Sequence, residues 1–270
     1  MRIILHLHSE KIRVLPYNYQ YPLSAAIYKL LRSGSGEYAT FLHDRGYKLA
    51  GKTYKLFCFA LRFEKAKFSS DHLEMLSPNV RLYISSPLID KFMGSLLSGV
   101  FRTPEILFDD PDMNVRFRVS NIETVPSPVF SSEMKFRLLS PLVVSTRREI
   151  AGRLATYYLR YDDDISELNR IINMNLRNKL QLLTGIPHDD KSIEFGWDNS
   201  YIAQRTAEGK SLTSRITIGS KNRNISVIAN MIPFIVTGDT SLIETGYMCG
   251  FGEKNSMGFG FSDTIRAGTR

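Results

Sequence analysis

RIILHLH (Arg2–His8), followed by PLSAAIYKLLRSG (Pro22–Gly34), decides the fold, because the hydrophobic period changes between the two segments. The first alternates apolar and polar residues, the period of a half-buried strand. In the second, Leu23, Ala26, Ile27, Leu30 and Leu31 form one apolar stripe. Pro22 suits a first helical turn and Gly34 stops the helix. Working outward, EYATFLHD (Glu37–Asp44) predicts a short helix ending at Gly46, and YKLFCFALRF (Tyr54–Phe63) and VRLYIS (Val80–Ser85) predict strands. LIDKFMGSLLS (Leu88–Ser98) predicts a second main helix, and MNVRFRVSNIETV (Met113–Val125) a further strand.

Strand, helix, two strands, helix, strand is the split βαβ or ferredoxin-like unit, in which both helices cover one face of a four-stranded antiparallel sheet. Pro126 and Pro128 then mark a linker. Beyond them EMKFRLLSPLVV (Glu133–Val144) predicts a strand and DISELNRIINMNLRNKLQLLTG (Asp164–Gly185) a long amphipathic helix. SRITIG (Ser214–Gly219) and NISVIANMIPFIVTG (Asn224–Gly238) predict two strands, TSLIETGYMCG (Thr240–Gly250) a helix and GFGFSDTI (Gly258–Ile265) a last strand. The order repeats. The expectation is an α+β protein of two tandem ferredoxin-like (RRM-like, βαββαβ) domains, 1–125 and 129–270, the second carrying a glycine-rich loop near its end. A sheet face free of helices offers single-stranded RNA a surface for stacking. The fold hosts many functions, so the chemistry has to be read from side chains.

With 43% of its 270 residues hydrophobic, the chain can bury a substantial core, which argues against disorder. Its 35 Lys and Arg against 27 Asp and Glu give a net charge of +8, which favours a polyanionic partner. Between Glu208 and Asp239 there is no acidic residue, while Lys210, Arg215, Lys221 and Arg223 fall in that interval; Arg45, Lys48, Lys52 and Lys55 form a second cluster. Basic stretches free of carboxylates suit phosphate contacts, and a solvated face is the plain alternative for either one. No run approaches the roughly 18 apolar residues of a membrane span, and charge enters MRIILHLHSEKIR too early for a secretion signal. The expectation is a cytosolic protein with no membrane partner. Cys58 and Cys249, each inside an apolar run, read as buried free thiols. His6 and His8 share one face of the first strand with no further ligand nearby, and Asp162–Asp164 read as a helix start. No metal and no cofactor is predicted.

GYMCGFGEKNSMGFGF (Gly246–Phe261) is the most specific signal. Gly246, Gly250, Gly252, Gly258 and Gly260 surround Glu253, Lys254, Asn255 and Ser256, and glycines at this density let main-chain amides approach a phosphate. A helix precedes the loop and only ten residues follow Gly260, so neither a dinucleotide fingerprint nor a P-loop fits. A glycine-rich connection that merely turns the chain is the structural alternative.

This tail, together with LPYNYQYPLSAAIYKLL and ATFLHDRGYKLAGKTYKLFCFALRF, resembles the CRISPR-associated endoribonucleases of the Cas six family, within the repeat-associated mysterious protein superfamily. The resemblance implies tandem ferredoxin-like domains, RNA bound across or between them, and cleavage of CRISPR repeat RNA to guide RNAs without a metal. It implies attack by the substrate's own 2′-hydroxyl, leaving a 2′,3′-cyclic phosphate and a 5′-hydroxyl. A non-cleaving repeat-binding protein or effector-complex subunit is the alternative. Partners implied are the repeat RNA, a Cas effector complex and a second copy of the chain.

Such chemistry needs a group to take or orient the 2′-hydroxyl proton, a group to protonate the departing 5′-oxygen, and positive charge for the crowded phosphoryl oxygens. His43 matches the family's active-site histidine, Tyr28 a tyrosine on the first helix, and Lys48 a lysine shortly after the histidine, with Lys52 as the alternative because of the intervening AGKT. RNA contacts are expected from Gly250, Gly252, Lys254, Asn255, Ser256, Gly258 and Gly260, and from Lys52, Arg215, Lys221 and Arg223. Read without the resemblance, a lone histidine at a helix end also serves as a cap, Tyr28 completes an apolar stripe, and Lys48 is a solvated loop residue.

Overall fold

The strand Arg2–His8 lies at the centre of a five-stranded sheet in the computed structural model, which describes residues 1–11, 14–69, 72–110, 113–150, 152–220 and 223–265. The chain divides into two compact units, Met1–Ser127 with Ile218–Asn224, and Pro128–Thr217 with Ile225–Arg270. In the first, the sheet order is Cys58–Phe63, Asn79–Ser85, Arg2–His8, Met113–Val125, Glu105–Asp110, and every pair is antiparallel. Ile3, Leu5 and Leu7 bury one face of the central strand in a core with the apolar stripes of helices α1 (Gln20–Gly34) and α3 (Gly94–Arg102). The opposite face is not uniformly open: Arg2 and Ile4 are buried, and exposure begins at His6 and His8.

Helix α2 (Gly36–Thr40) runs into a single π-helical turn, Phe41–Arg45, which the Gly46 N–H closes onto the Phe41 carbonyl at 2.8 Å. A hairpin, Tyr47–Leu49 with Lys52–Tyr54, follows. Ala50 and Gly51 at its tip both have positive φ, 48° and 72°, the pattern of a type I′ turn. The strand predicted from Tyr54 begins only at Cys58. Leu56 has φ 53°, a left-handed conformation that a leucine side chain disfavours and that ends any strand through it. Burial holds it there, together with a hydrogen bond from the Ser86 hydroxyl to the Leu56 carbonyl (2.8 Å).

The second unit has a four-stranded antiparallel sheet in the order Ile193–Trp197, Phe234–Gly238, Glu133–Leu138, Ser262–Thr264. Helices α4 (Ile165–Thr184) and α6 (Thr240–Cys249) share its core, and α5 (Asn199–Ala207) follows Trp197. Here the predicted elements need correcting. SRITIG and NISVIAN lie in Thr213–Ser220 and Arg223–Asn230, which pair with each other as a separate two-stranded ribbon. Pro233 offers no N–H to a ladder, so the predicted long strand breaks before Phe234. Ile193–Trp197, which occupies the vacated edge, has only five residues with Gly196 among them, and its strand signal is weak. Leaving aside Glu105–Asp110, the four sheet strands of each unit, numbered by appearance, stand in the same order, 2-3-1-4. Among the described residues, no helix is long and apolar enough to cross a membrane.

Candidate functional site

The π-helical turn delivers His43 to the surface of the first unit, its side chain 64% exposed. An extra residue in the turn re-aims the side chains that follow, a device common at functional sites. His43 Nδ1 lies 2.7 Å from Asp44 Oδ1, which orients the ring and leaves Nε2 for another partner. Tyr28, half-buried on α1, meets the His43 ring edge to face, with centroids 5.4 Å apart and planes at 89°. Its other neighbour is the fully buried Phe57, at 6.0 Å and 75°. The phenol thus stands between core and imidazole, and aromatic pairs of this geometry contribute about 0.5–1.5 kcal/mol each. Burial pushes the Tyr28 phenol above its ordinary value. It is therefore a hydrogen-bond donor at neutral pH and no base.

The strained Leu56 sends its two neighbours to this place. Phe57 goes beneath Tyr28. Lys55 donates to the Leu42 carbonyl and to the His43 carbonyl (2.8 Å), capping the end of the turn that carries the histidine. Burial lowers the Lys55 ammonium below its ordinary value, and the Asp44 carboxylate partly opposes that shift. Lys48 and Lys52 differ in facing. Paired residues of a hairpin share a face and successive residues alternate, so Lys48 lies with Thr53, and Lys52 lies on the other face with Leu49. The Thr53 face meets the histidine turn: a Cβ on Gly46 would sit 2.9 Å from Thr53 Cγ2 and 3.0 Å from Lys55 Cδ. The opposite face reaches the same turn through Tyr47, which meets Phe41 at 5.4 Å, and Lys48 and Lys52 are both exposed.

The glycine-rich loop has a different character. Its first and last segments, Gly250–Gly252 and Gly258–Phe261, are buried. Lys179 of α4, 2% exposed, extends its ammonium to the carbonyls of Gly250 (2.7 Å) and Gly252 (3.0 Å) and to Asn255 Oδ1 (2.8 Å). The Asn255 amide nitrogen in turn donates to the Phe251 and Phe259 carbonyls, both at 3.0 Å. Several main-chain amides of the loop are committed within the unit: Phe251 donates to Gly260, Glu253 to Val143, Gly258 to Asn255 and Gly260 to Pro141. A Cβ on Gly252 would lie 2.4 Å from the Val143 carbonyl oxygen, and one on Gly260 1.9 Å from that of Phe251. Close packing thus accounts for these glycines, and Asn255 is a brace within the loop. Lys254, left-handed at φ 57°, and Ser256 are the partly exposed polar residues at its turn.

Of the other predicted RNA contacts, Lys52 is exposed on its hairpin and Arg215 is exposed on a strand whose Ile216 and Ile218 are buried. Lys221 lies outside the described residues, and of Arg223 only the backbone is described. His6 lies 2.9 Å from Glu123, and His8 3.1 Å from Asn79. Lys179 and Lys55 were missed as site residues. The signal for Lys179 was present: it continues the buried stripe Leu168, Ile171, Ile172, Asn175, Leu176, where a lysine is out of place unless its charge is paired. The role of Lys55 had none, because it depends on the left-handed Leu56.

Residues 14–123 match the family model described as CRISPR-associated protein Cas6, N-terminal, and residues 125–264 match CRISPR associated protein Cas6, C-terminal. The chain is 31% identical over 264 residues to CRISPR-associated endoribonuclease Cas6 1 of Methanocaldococcus jannaschii, covering 96% of this chain and 91% of that one. It is 30% identical over 267 residues to CRISPR-associated endoribonuclease Cas6 of Pyrococcus furiosus, covering 96% and 88%. A solved structure described as CRISPR associated protein Cas6 superposes with a TM-score of 0.76 at 30% identity over 98% of this chain and 99% of that one. Another, described as an RAMP protein binding different RNA substrates, superposes at 0.77 with 22% identity, covering 98% and 100%, a likeness of fold.

Proposed function

From the premise that this chain belongs to the Cas6 family of CRISPR-associated proteins, we propose that it is an endoribonuclease that cleaves CRISPR repeat RNA, and that it does so without a metal. The two units are read as tandem ferredoxin-like domains, 1–125 and 129–270, a reading supported by their common 2-3-1-4 strand order. The first carries the chemistry.

The observation that carries this function is the edge-to-face contact of Tyr28 and His43 at 5.4 Å on an exposed turn. A hydrogen-bond donor and an imidazole in contact on an exposed surface suit the two ends of one ribose-phosphate unit, which supports the reading. In the reaction the 2′-oxygen attacks the adjacent phosphorus and loses its proton, and the bond from phosphorus to the 5′-oxygen breaks. The departing oxygen takes a proton, leaving a 2′,3′-cyclic phosphate and a 5′-hydroxyl. His43 serves as general acid or base through Nε2, with Asp44 fixing its ring. Tyr28 orients the 2′-hydroxyl. Lys48 stabilises the charge on the phosphoryl oxygens in the transition state. Lys254, Ser256, Lys52 and Arg215 hold the RNA, and Lys179 and Asn255 support the loop from beneath.

The test is incubation of the end-labelled repeat with the purified chain in excess chelator. Cleavage to products with a cyclic phosphate at the 3′ end is expected. Tight binding with intact RNA means instead that the chain is a repeat-binding module.

A further inference from the structure

The residues after His43 line a second feature of the first unit that the proposed cleavage does not use. A cavity of about 850 Å³ opens beside the π-helical turn, walled by Tyr38, Phe41 and Tyr47 and rimmed by Asp44, Arg45 and Lys91. That volume lies within the usual range for sites that hold small ligands. The aromatic wall is continuous: Tyr38 and Phe41 have centroids 6.2 Å apart, and Phe41 meets Tyr47 edge to face at 5.4 Å. All three rings pack against the core, so the wall is rigid. Asp44 belongs to both places, since it lines the cavity and holds the His43 ring at 2.7 Å.

We infer that this cavity receives one unpaired nucleobase of the RNA, splayed out from a nucleotide flanking the bond that is cut. This rests on the cleavage reading above. Single-stranded RNA is recognised by bases swung out onto aromatic side chains, with cations at the intervening phosphates. The cavity supplies both, with rings on its wall and Arg45 and Lys91 at its rim. Carboxylates at the rim, Glu37 and Asp44, accept from the exocyclic amino groups of adenine, cytosine or guanine, whereas uracil offers only its ring N3–H. Because His43, Asp44 and Arg45 are consecutive in one turn, a phosphate at the imidazole leaves the adjoining nucleotide beside the opening. The cavity is then a specificity site that fixes which bond reaches the histidine.

The experiment uses the full chain and repeat RNAs carrying a single abasic nucleotide at successive positions around the cleaved bond. One flanking position is expected to lose about tenfold in cleavage rate at sub-saturating RNA, the scale of 1–3 kcal/mol for a stacked base. Thr40→Trp fills the cavity from an exposed lining position. It should slow cleavage of the unmodified repeat by a similar factor and abolish the abasic effect. Binding supplies a second readout: 2-aminopurine at the same position, bound to His43→Ala, should be quenched by stacking and should brighten when Thr40→Trp is added. If Thr40→Trp does not fold, Lys91→Ala at the rim takes its place and should lower the salt slope of binding by about one. Equal tolerance of abasic nucleotides at every flanking position, or an abasic effect that survives Thr40→Trp, overturns the cavity assignment while leaving the nuclease intact. If the native chain cuts no repeat at all, the nuclease reading fails, and the 2-aminopurine signal alone decides the cavity.

Discussion

The histidine turn and the glycine-rich loop were the two richest motifs in the chain, and their polar groups are disposed in opposite ways. At the turn, His43 stands 64% exposed on a short π-helical segment, and Asp44, Tyr28 and Lys55 orient it without enclosing it. In the loop, Asn255 is 8% exposed and Lys179 2%, and their hydrogen bonds close on the loop's own carbonyls. A reactive group must be open to substrate yet fixed in direction. A group that builds a loop must have its hydrogen bonds satisfied inside, because an unpaired buried polar atom costs about 1–3 kcal/mol. Residue type does not separate these cases, and burial and partners do.

Mutations should break along the same line. His43→Ala should reduce cleavage by about 10²–10⁴-fold, the range for removing a general acid or base, with RNA affinity unchanged and the thermal midpoint lowered by at most a few degrees for the lost ring contact. A full rate in this variant, measured in single-turnover assays, removes the imidazole from the chemistry. Tyr28→Phe keeps the ring contact and deletes only the hydroxyl, so a fall of about tenfold in rate is expected, equal to about 1.4 kcal/mol for one lost hydrogen bond. A normal rate would make Tyr28 a packing residue. Lys179→Met should act on the other side of the contrast. It strips donors from two carbonyls and from Asn255, each at about 1–3 kcal/mol, so denaturant titration should find a loss of stability. Single-turnover cleavage at saturating RNA should change by less than about threefold. Lys254→Ala should do least, weakening RNA binding and reducing the slope of log affinity against log salt by about one, at unchanged stability.

A smaller contrast within the second unit concerns acid. Arg148 donates to Glu167 at 2.6 Å and lies 3.4 Å from Asp163, and its guanidinium lies 4.0 Å from the Tyr157 ring centroid. The hydrogen bond from Arg148 holds the Glu167 carboxyl below its ordinary value. Burial alone would raise Asp163, but the Arg160 N–H, the Tyr157 hydroxyl and Arg148 hold it low as well. Folded values below unfolded ones mean stabilisation that is complete above the ordinary carboxylate range and lost as pH falls through the depressed values. Arg148→Ala should therefore flatten the stability of the chain between about pH 5 and pH 2, with no effect on the pH dependence of cleavage.

Much of the first unit could be read from the chain. Arg2–His8 and Met113–Val125 match their predicted strands residue for residue, and α1 contains the predicted apolar stripe, because amphipathic patterns long enough to show a period report burial directly. The second unit was harder. Its ribbon strands carry a stronger β signal than Ile193–Trp197, which owes its place to pairing with Phe234–Gly238. At the candidate site, His43, Tyr28 and Lys48 were singled out through their place in a familiar motif, and the fold brings the first two into contact. Asp44 and Lys55 were not, since a hydrogen bond between neighbours and a cap on a distant carbonyl leave no periodic mark. The glycines were legible as a motif, but their close packing was not, because glycine permits both an anion's approach and close packing of the chain on itself.

By itself, the sequence determined most strands and helices of the first unit, the apolar stripe of α1 and the excess of positive charge, all of which follow from residue identity and local period. Tertiary structure alone decided which buried lysine braces the loop, that Tyr28 and His43 meet, and why Leu56 tolerates a left-handed backbone. Those outcomes depend on partners far away in the chain: Lys179 reaches its loop acceptors across 71 to 76 residues, and Ser86 holds Leu56 across 30. Only chain closure brings such groups within hydrogen-bonding distance.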